Sequence, residues 1–539
     1  MILSMMRPLR VLAAGSLFCA AVPAIGCDDN DEVWDTYPPN PALARGLDGA
    51  AALIDPPAER VLLLPVDGEL QVNPVSVPIG KGFAAAVTTA DSARLLVLSR
   101  GIVPRRRADD QGPSLAVIDG GIAPGLSATY ALSDPLSGIT IDPQSEFAVV
   151  YASPEDRAFV QNPNELILVD LKRGEGADNP FPLTLRSFGG SPQGFTFTPT
   201  IAVPGGARRL LVVRTDRDVA LLDLSDLTIP EITVQLTGGA EALSPGGIAV
   251  SDGEPDRDDD ARVAIRIDDD SNVIIVDLLP VAPGDAAETP QPYRASPNVV
   301  FVGGPPTDIS FVQTDGGIRL AALIPSRQVL TLVDPATGIA SEIELGAAFE
   351  RFSLVTDVVG GTENGSDVAL LWSGSSPNIA FVALGSTVGQ PYKSIDRLEL
   401  THPVTDVQSV PGPNRHLKLL GAPDGKSFIV LDMLARTASP ILASTNGTRV
   451  TPAPDGARAW MLARGQSALA QLDLASLHPL NIALSHPVQD VFDVTRSDGG
   501  RALIAVHSVG AGSITVLDAQ HPALDNAREY AALLLGDLR

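Results

Sequence analysis

Cysteine is nearly absent from this chain of 539 residues: there are two, Cys19 and Cys27. A disulfide framework is therefore excluded, and the body has to hold together by apolar burial and backbone pairing. Aromatic residues make up 4%, which argues against a stacked sugar-binding groove and leaves Trp34, Trp372 and Trp460 as individual contact candidates. Positive charge is scarce as well. Against 64 Asp and Glu stand 38 Lys and Arg, for a formal net charge of −26. The largest basic cluster is Arg105-Arg106-Arg107, so nucleic-acid binding is excluded, and the surface as a whole repels anionic lipid headgroups. Catalytic spacing is missing too. No G-x-S-x-G nucleophile elbow occurs. The Gly-rich pieces GGSPQG (Gly189 to Gly194) and VGGPP (Val302 to Pro306) lack the Lys-Ser/Thr of a phosphate loop and read as connections between strands.

What is present begins with an export signal. The first 26 residues join Arg7 and Arg10 to an apolar stretch from Val11 to Val22, too short for a membrane span of about 20 residues, and end in small residues suited to cleavage. Residues Ala24-Ile25-Gly26-Cys27 resemble the bacterial lipobox, with Ala24 where Leu is usual. The resemblance implies that Cys27 is lipidated and becomes the new N-terminus, while Cys19 is discarded with the signal. It makes the membrane the first partner and the cell envelope the location, on the periplasmic face or at the outer membrane and cell surface. Loss of the two signal arginines takes the formal charge from −26 to −28. Residues 27–60 open on CDDNDEVWD and continue rich in Pro and Ala, the composition of a tether. Residues 61–539 form the body.

The body repeats. A short apolar strand ending in Asp recurs at Asp119, Asp170, Asp223, Asp277, Asp334, Asp432, Asp473 and Asp518, with a degenerate copy, IAFVA, at Ala383. Before most of these lies a second apolar run, as in RLLVLSR from Arg94 and RALIAVH from Arg501, and the two form a hairpin. A third run precedes each hairpin, beginning at Gly138, Gly194, Gly247, Asp308, Asp357, Asp406 or Asp490, and a fourth follows, as in EITVQL from Glu231. HPVTDV at His402 and HPVQDV at His486 are the same corner written twice, two repeats apart. Four strands every 40 to 57 residues predict an all-β fold, a single large β-propeller of four-stranded blades. Nine hairpins are visible, and strands near Val61 to Asp67 and Val72 to Gly80 are available to close the ring against the last blade. Eight blades are expected, within a range of seven to nine.

The LxVxD strand, the PDG-type turns at Pro423 and Pro454 and the period near 45 residues resemble the YVTN/lactonase-like β-propeller repeats of bacterial envelope proteins, although the YVTN tetrapeptide itself is absent. The resemblance covers about residues 61–535. It implies an extracytoplasmic propeller, and some related propellers are lactone hydrolases. Three candidate sites follow from the residues. Asp256, Asp258 and Asp260 alternate as calcium ligands do, but Ala261 and Ile267 stand where a calcium loop needs Gly and Glu; calcium is the one cofactor this run suggests, and a solvated turn is the plainer reading. Asp308, Asp357, Asp406 and Asp490 open innermost strands and could crowd one mouth of the channel, or else cap turns and bond the next blade. All six histidines fall between His402 and His521 without metal-binding spacing. The expected function is therefore a lipid-anchored, non-catalytic binding or scaffold protein whose partner is an envelope protein or a small molecule. The alternative is a lactonase-like or metal-assisted hydrolase with its site in the channel.

Overall fold

The computed structural model describes residues 43–535 apart from 105, 122, 155–159, 177, 187–189, 204–205, 237–242, 253–260, 282–292, 356–367, 387–390, 423–426, 443–447, 510 and 523–525. The export signal, Cys27, Trp34 and the start of the tether lie outside the described residues.

Short runs of Val, Leu and Ile pair as antiparallel strands, and each run of four makes one sheet whose strands lie in chain order. Among the described residues there are ten such sheets: blade 1 (43–78), blade 2 (83–131), blade 3 (138–184), blade 4 (192–235), blade 5 (245–301), blade 6 (308–344), blade 7 (351–399), blade 8 (406–442), blade 9 (448–483) and blade 10 (488–530). Blade 4 carries an extra hairpin, Ile201–Val203 with Gly206–Arg208, between its first and second strands. Ten blades replace the expected eight and exceed the range of seven to nine. The strands around residues 61–80, expected to complete another sheet, are the third and fourth strands of a blade of their own. Its first two, Leu43–Leu47 and Ala50–Asp55, come from residues assigned above to the tether. Residues 43–60, assigned above to the tether, therefore belong to the folded body.

The ring follows from the period of two along a strand. In Arg94–Ser99, Leu96 and Leu98 pack into a cluster with blade 3, while Leu95 and Val97 pack into one with blade 1. Both faces of such a sheet are apolar, so it is stable only between two others. Ten apolar clusters are described, each shared by two consecutive blades, and the tenth joins blade 10 to blade 1: Val494, Ile504, Val506 and Val516 meet Leu53, Leu62 and Leu64. Full burial of one such Val, Leu or Ile side chain is worth about 1.5–3 kcal/mol, and the pattern repeats at every joint.

No strand is exchanged at the closure, because all of blade 1 comes from the N-terminal side and all of blade 10 from the C-terminal side. Polar bonds reinforce it. Thr495 Oγ1 donates to Asp48 Oδ1 at 2.8 Å, the Ser497 amide donates to the Val66 carbonyl at 3.0 Å, and the Val72 amide donates to the Tyr530 hydroxyl at 2.9 Å. Arg60 pairs with Asp55 at 3.2 Å and reaches the Leu534 carbonyl. Gly49 sits at φ 84°, and a Cβ there would lie 2.7 Å from the Gly121 backbone, so the turn from the first to the second strand of blade 1 accepts no side chain.

First strands pack on one another at several joints, among them Pro245–Ser251 on Asp308–Thr314 and Leu43–Leu47 on Val488–Thr495, as expected of strands that surround a propeller's central channel. The face on which they start is termed proximal: it carries the connections between second and third strands and those between blades. The opposite, distal face carries the turns from first to second and from third to fourth strands.

Candidate functional site: two hollows on the distal face

The repeated Asp that made the sequence legible is a turn residue. At the distal end of the third strand its Oδ1 accepts backbone amides two and three residues ahead. Asp432 takes those of Leu434 and Ala435 at 2.9 and 2.8 Å, Asp473 those of Ala475 and Ser476 at 3.1 and 2.7 Å, and Asp518 those of Gln520 and His521 at 2.7 and 3.1 Å. These are Asx turns, which lead the chain into the outer strand. The amide and hydroxyl of Ser476 hold Asp473 below the usual carboxylate range. In blades 2 and 5 an Arg near the start of the second strand meets the repeated Asp of the third: Arg94 with Asp119 at 3.5 Å and Arg262 with Asp277 at 2.8 Å.

The four carboxylates expected at a channel mouth divide. Asp308 accepts the Ile309 amide at 3.0 Å and, from the next blade, the Phe352 amide at 3.3 Å; burial pushes its carboxyl up against the pull of those two donors. Asp490 accepts the Val491 amide at 3.0 Å and pairs with Arg449 of blade 9 at 3.2 Å. Asp406 is exposed and takes Gln408 Nε2 at 2.8 Å. Each of the three is thus held separately, two of them by the neighbouring blade. Asp357 lies outside the described residues; the first strand of blade 7 is Arg351–Val355. Asp256, Asp258 and Asp260 also lie outside them, in the connection between the strands Pro245–Ser251 and Ala261–Ile267. Among the described residues no group of three or more His, Cys, Asp and Glu is placed to hold a metal ion. His507, in blade 10, is buried, donates to or accepts from Thr515 Oγ1 at 2.7 Å through Nε2, and meets the His486 ring edge-on at 5.5 Å. Burial, with His486 second, pulls its pKa down. Trp460 is buried and donates from Nε1 to Asp493 of blade 10 at 3.2 Å; Asp493 is also paired with Arg501 at 2.7 Å.

Among the described residues, two hollows open on the distal face. The first, about 370 Å³, lies where the first strands of blades 5 and 6 end and is completed by Pro199 of blade 4. Val250, Phe311, Val312 and Ile318 give it an apolar floor, and Ser251, Asp252 and Gln313 bring a hydroxyl, a carboxylate and an amide. Ser251 Oγ lies 3.4 Å from Asp252 Oδ1, and Phe311 is nearly closed to solvent. The mixture suits a small molecule with an apolar body and a hydrogen-bond donor or cation. The second hollow, about 450 Å³, sits over the closure between blades 10, 1 and 2, where Val66, Val75 and Pro124 meet Asp67, Asn73, Thr495 and Ser497. Asp67 is committed to its own turn, accepting the Glu69 and Gln71 amides at 2.9 and 2.8 Å. Neither hollow was read from the sequence, since each gathers residues from three blades. The one local signal was the acidic run that starts at Asp252 on the edge of the first.

No protein-family model matches the chain, and no curated protein sequence does. Solved structures similar to it include dihydro-heme d1 dehydrogenase NirN in complex with DHE, at 15% identity and a TM-score of 0.42 over 69% of this chain and 71% of that one. The Dos1 propeller is similar at 13% identity and a TM-score of 0.39, over 68% and 89%. Apo AztD from Citrobacter koseri is similar at 13% identity and a TM-score of 0.34, over 73% and 95%.

Proposed function

We propose that this chain is a binding protein of the cell envelope, held to a membrane by lipid on Cys27 and presenting the distal face of its ring to a small-molecule or protein ligand. One observation carries the reading. Both hollows open on the face opposite to the one where the chain enters blade 1 at Leu43. Fifteen residues lie between Cys27 and Leu43, a span of at most about 55 Å when fully extended. A lipid at Cys27 would attach through the chain that enters blade 1 at Leu43, and so leave the opposite, distal face with its hollows unencumbered by the tether. The proximal carboxylates Asp308 and Asp490 are bonded across blade joints, which favours binding over a hydrolase centred on them.

The hollow between blades 4, 5 and 6 is the assigned ligand site, with Asp252 and Gln313 as its polar contacts. The test is crosslinking in intact cells, with recovery of the full chain and identification of what accompanies it. An envelope component or small molecule recovered with the parent and lost with Asp252→Lys and Gln313→Lys supports the site; identical recovery from both overturns it. Anchoring is read separately. Cys27→Ser is expected to move the protein to the soluble fraction, and unchanged membrane retention rejects the lipid.

A further inference from the structure

We propose that the connection between the second and third strands of blade 2, residues 100–113, is a second, direct contact with the membrane, specific for a surface of anionic phospholipid. The segment carries the chain's one run of three consecutive basic residues, Arg105-Arg106-Arg107. Next to it Ile102 and Val103 are exposed, at 37% and 47%. Counting Arg100 and the three arginines against Asp109 and Asp110, the segment has a formal charge of +2 in a chain of −26. Basic side chains beside exposed aliphatic ones are the composition of interfacial membrane contacts, in which cations meet headgroup phosphates and apolar groups enter the acyl boundary.

Geometry adds to composition. The segment leaves Ser99 and returns at Ser114, which pair at the proximal end of blade 2, so it lies on the face where the chain enters at Leu43 of the adjacent blade. Its neck is closed. The Ile102 amide donates to the Gln111 carbonyl at 2.9 Å, the Gly101 amide donates to the Lys81 carbonyl at 2.8 Å, and a Cβ at Gly101, which has φ 71°, would lie 2.5 Å from the Gln111 carbonyl oxygen. Asp110 Oδ2 accepts the backbone amides of Arg106 and Arg107 at 2.7 and 2.8 Å, which fixes the backbone of the basic run. Both arginines are exposed. The acidic remainder of the surface does not prevent the contact, since at physiological salt charges more than about 8 Å away are largely screened. The inference rests on membrane attachment through Cys27, which would hold the proximal face within tether length and make a weak contact effective.

The experiment is sedimentation of the full chain with vesicles of phosphatidylcholine alone and of an equimolar mixture with phosphatidylglycerol, comparing the parent with Arg105→Gln, Arg106→Gln and Arg107→Gln combined. The export signal is common to both proteins, so the difference between them reads the segment. Each arginine near an anionic surface is worth about a fivefold gain in binding, so the triple substitution is expected to weaken binding to the mixed vesicles about a hundredfold and to leave phosphatidylcholine unaffected. In a second variant, Val103→Trp, the indole emission is expected to shift to the blue with mixed vesicles only. Equal binding of parent and triple variant overturns the proposal, as does an unchanged Val103→Trp emission. Failure of anchoring would appear instead in fractionation of Cys27→Ser, which leaves residues 100–113 intact.

Discussion

Closure of the ring joins residues that are 447 positions apart, Asp48 and Thr495, through a hydrogen bond of 2.8 Å. Replacing them by Asp48→Cys and Thr495→Cys in a Cys19→Ser, Cys27→Ser background places two thiols across the joint of blades 1 and 10, with no other cysteine in the chain. The loop-entropy relation gives about 6 kcal/mol for a crosslink spanning 447 residues. Engineered bridges return less than that, typically about 2–4 kcal/mol. With an unfolding entropy of about 2 cal/mol/K per residue, this raises the melting temperature of a body of this size by only about 2–4 °C. The sharper readout is formation of the bond. Oxidation is expected to give a monomer that migrates faster on a non-reducing gel and reverts on reduction. The pair Asp48→Cys and Gln313→Cys is the control, because blade 6 lies five blades from blade 1, halfway around the ring. Crosslinking only between molecules, or equal crosslinking by the control pair, refutes the closure.

Two further outcomes follow from buried titratable groups in blade 10. Removing the Arg501 side chain with Arg501→Leu strands Asp493, whose side chain is 9% exposed, and is expected to cost about 3–5 kcal/mol in urea unfolding at neutral pH. Burial already raises the pKa of Asp493, so its favourable contribution is present below the unfolded carboxylate value and lost as pH rises through the folded one; the variant's deficit therefore shrinks toward pH 4. A deficit independent of pH contradicts this assignment. His507 behaves in the opposite sense. Its lowered pKa gives stability that is present above the unfolded value near 6.5 and lost as pH falls through the folded value. With His486 and Glu529 the ionisable groups acting on it, His507→Gln is expected to flatten the loss of thermal stability between about pH 7.5 and 5.5, and an unchanged slope refutes the role.

The unit of this fold was legible because one residue repeats for one reason. The Asp at the end of the third strand is an Asx-turn acceptor in blade after blade, at Asp432, Asp473 and Asp518 among others, so selection for the turn wrote a ladder into the chain. Blade number was not legible, because blade 1 departs from that signal. Its third strand, Arg60–Pro65, ends on Pro, and its first two, LARGL and AAALID, are rich in alanine and lie beside prolines. Composition pointed to a tether there, whereas Ala51 and Ala52 are fully buried against blades 10 and 2. Small residues close an interface as well as large ones when the sheets approach closely. The corner repeated at His402 and His486 was read correctly, since the two copies lead into blades 8 and 10, two blades apart. Candidate ligand residues escaped notice for a different reason: Pro199, Ser251 and Phe311 meet only because the ring stacks three first strands side by side, and no local pattern records that.

End-on projections of the purified protein by electron microscopy test the central claim most directly. Ten lobes around one axis, with no gap between the first and the last, are what this account predicts. Eight or nine lobes, or an open arc, contradict it.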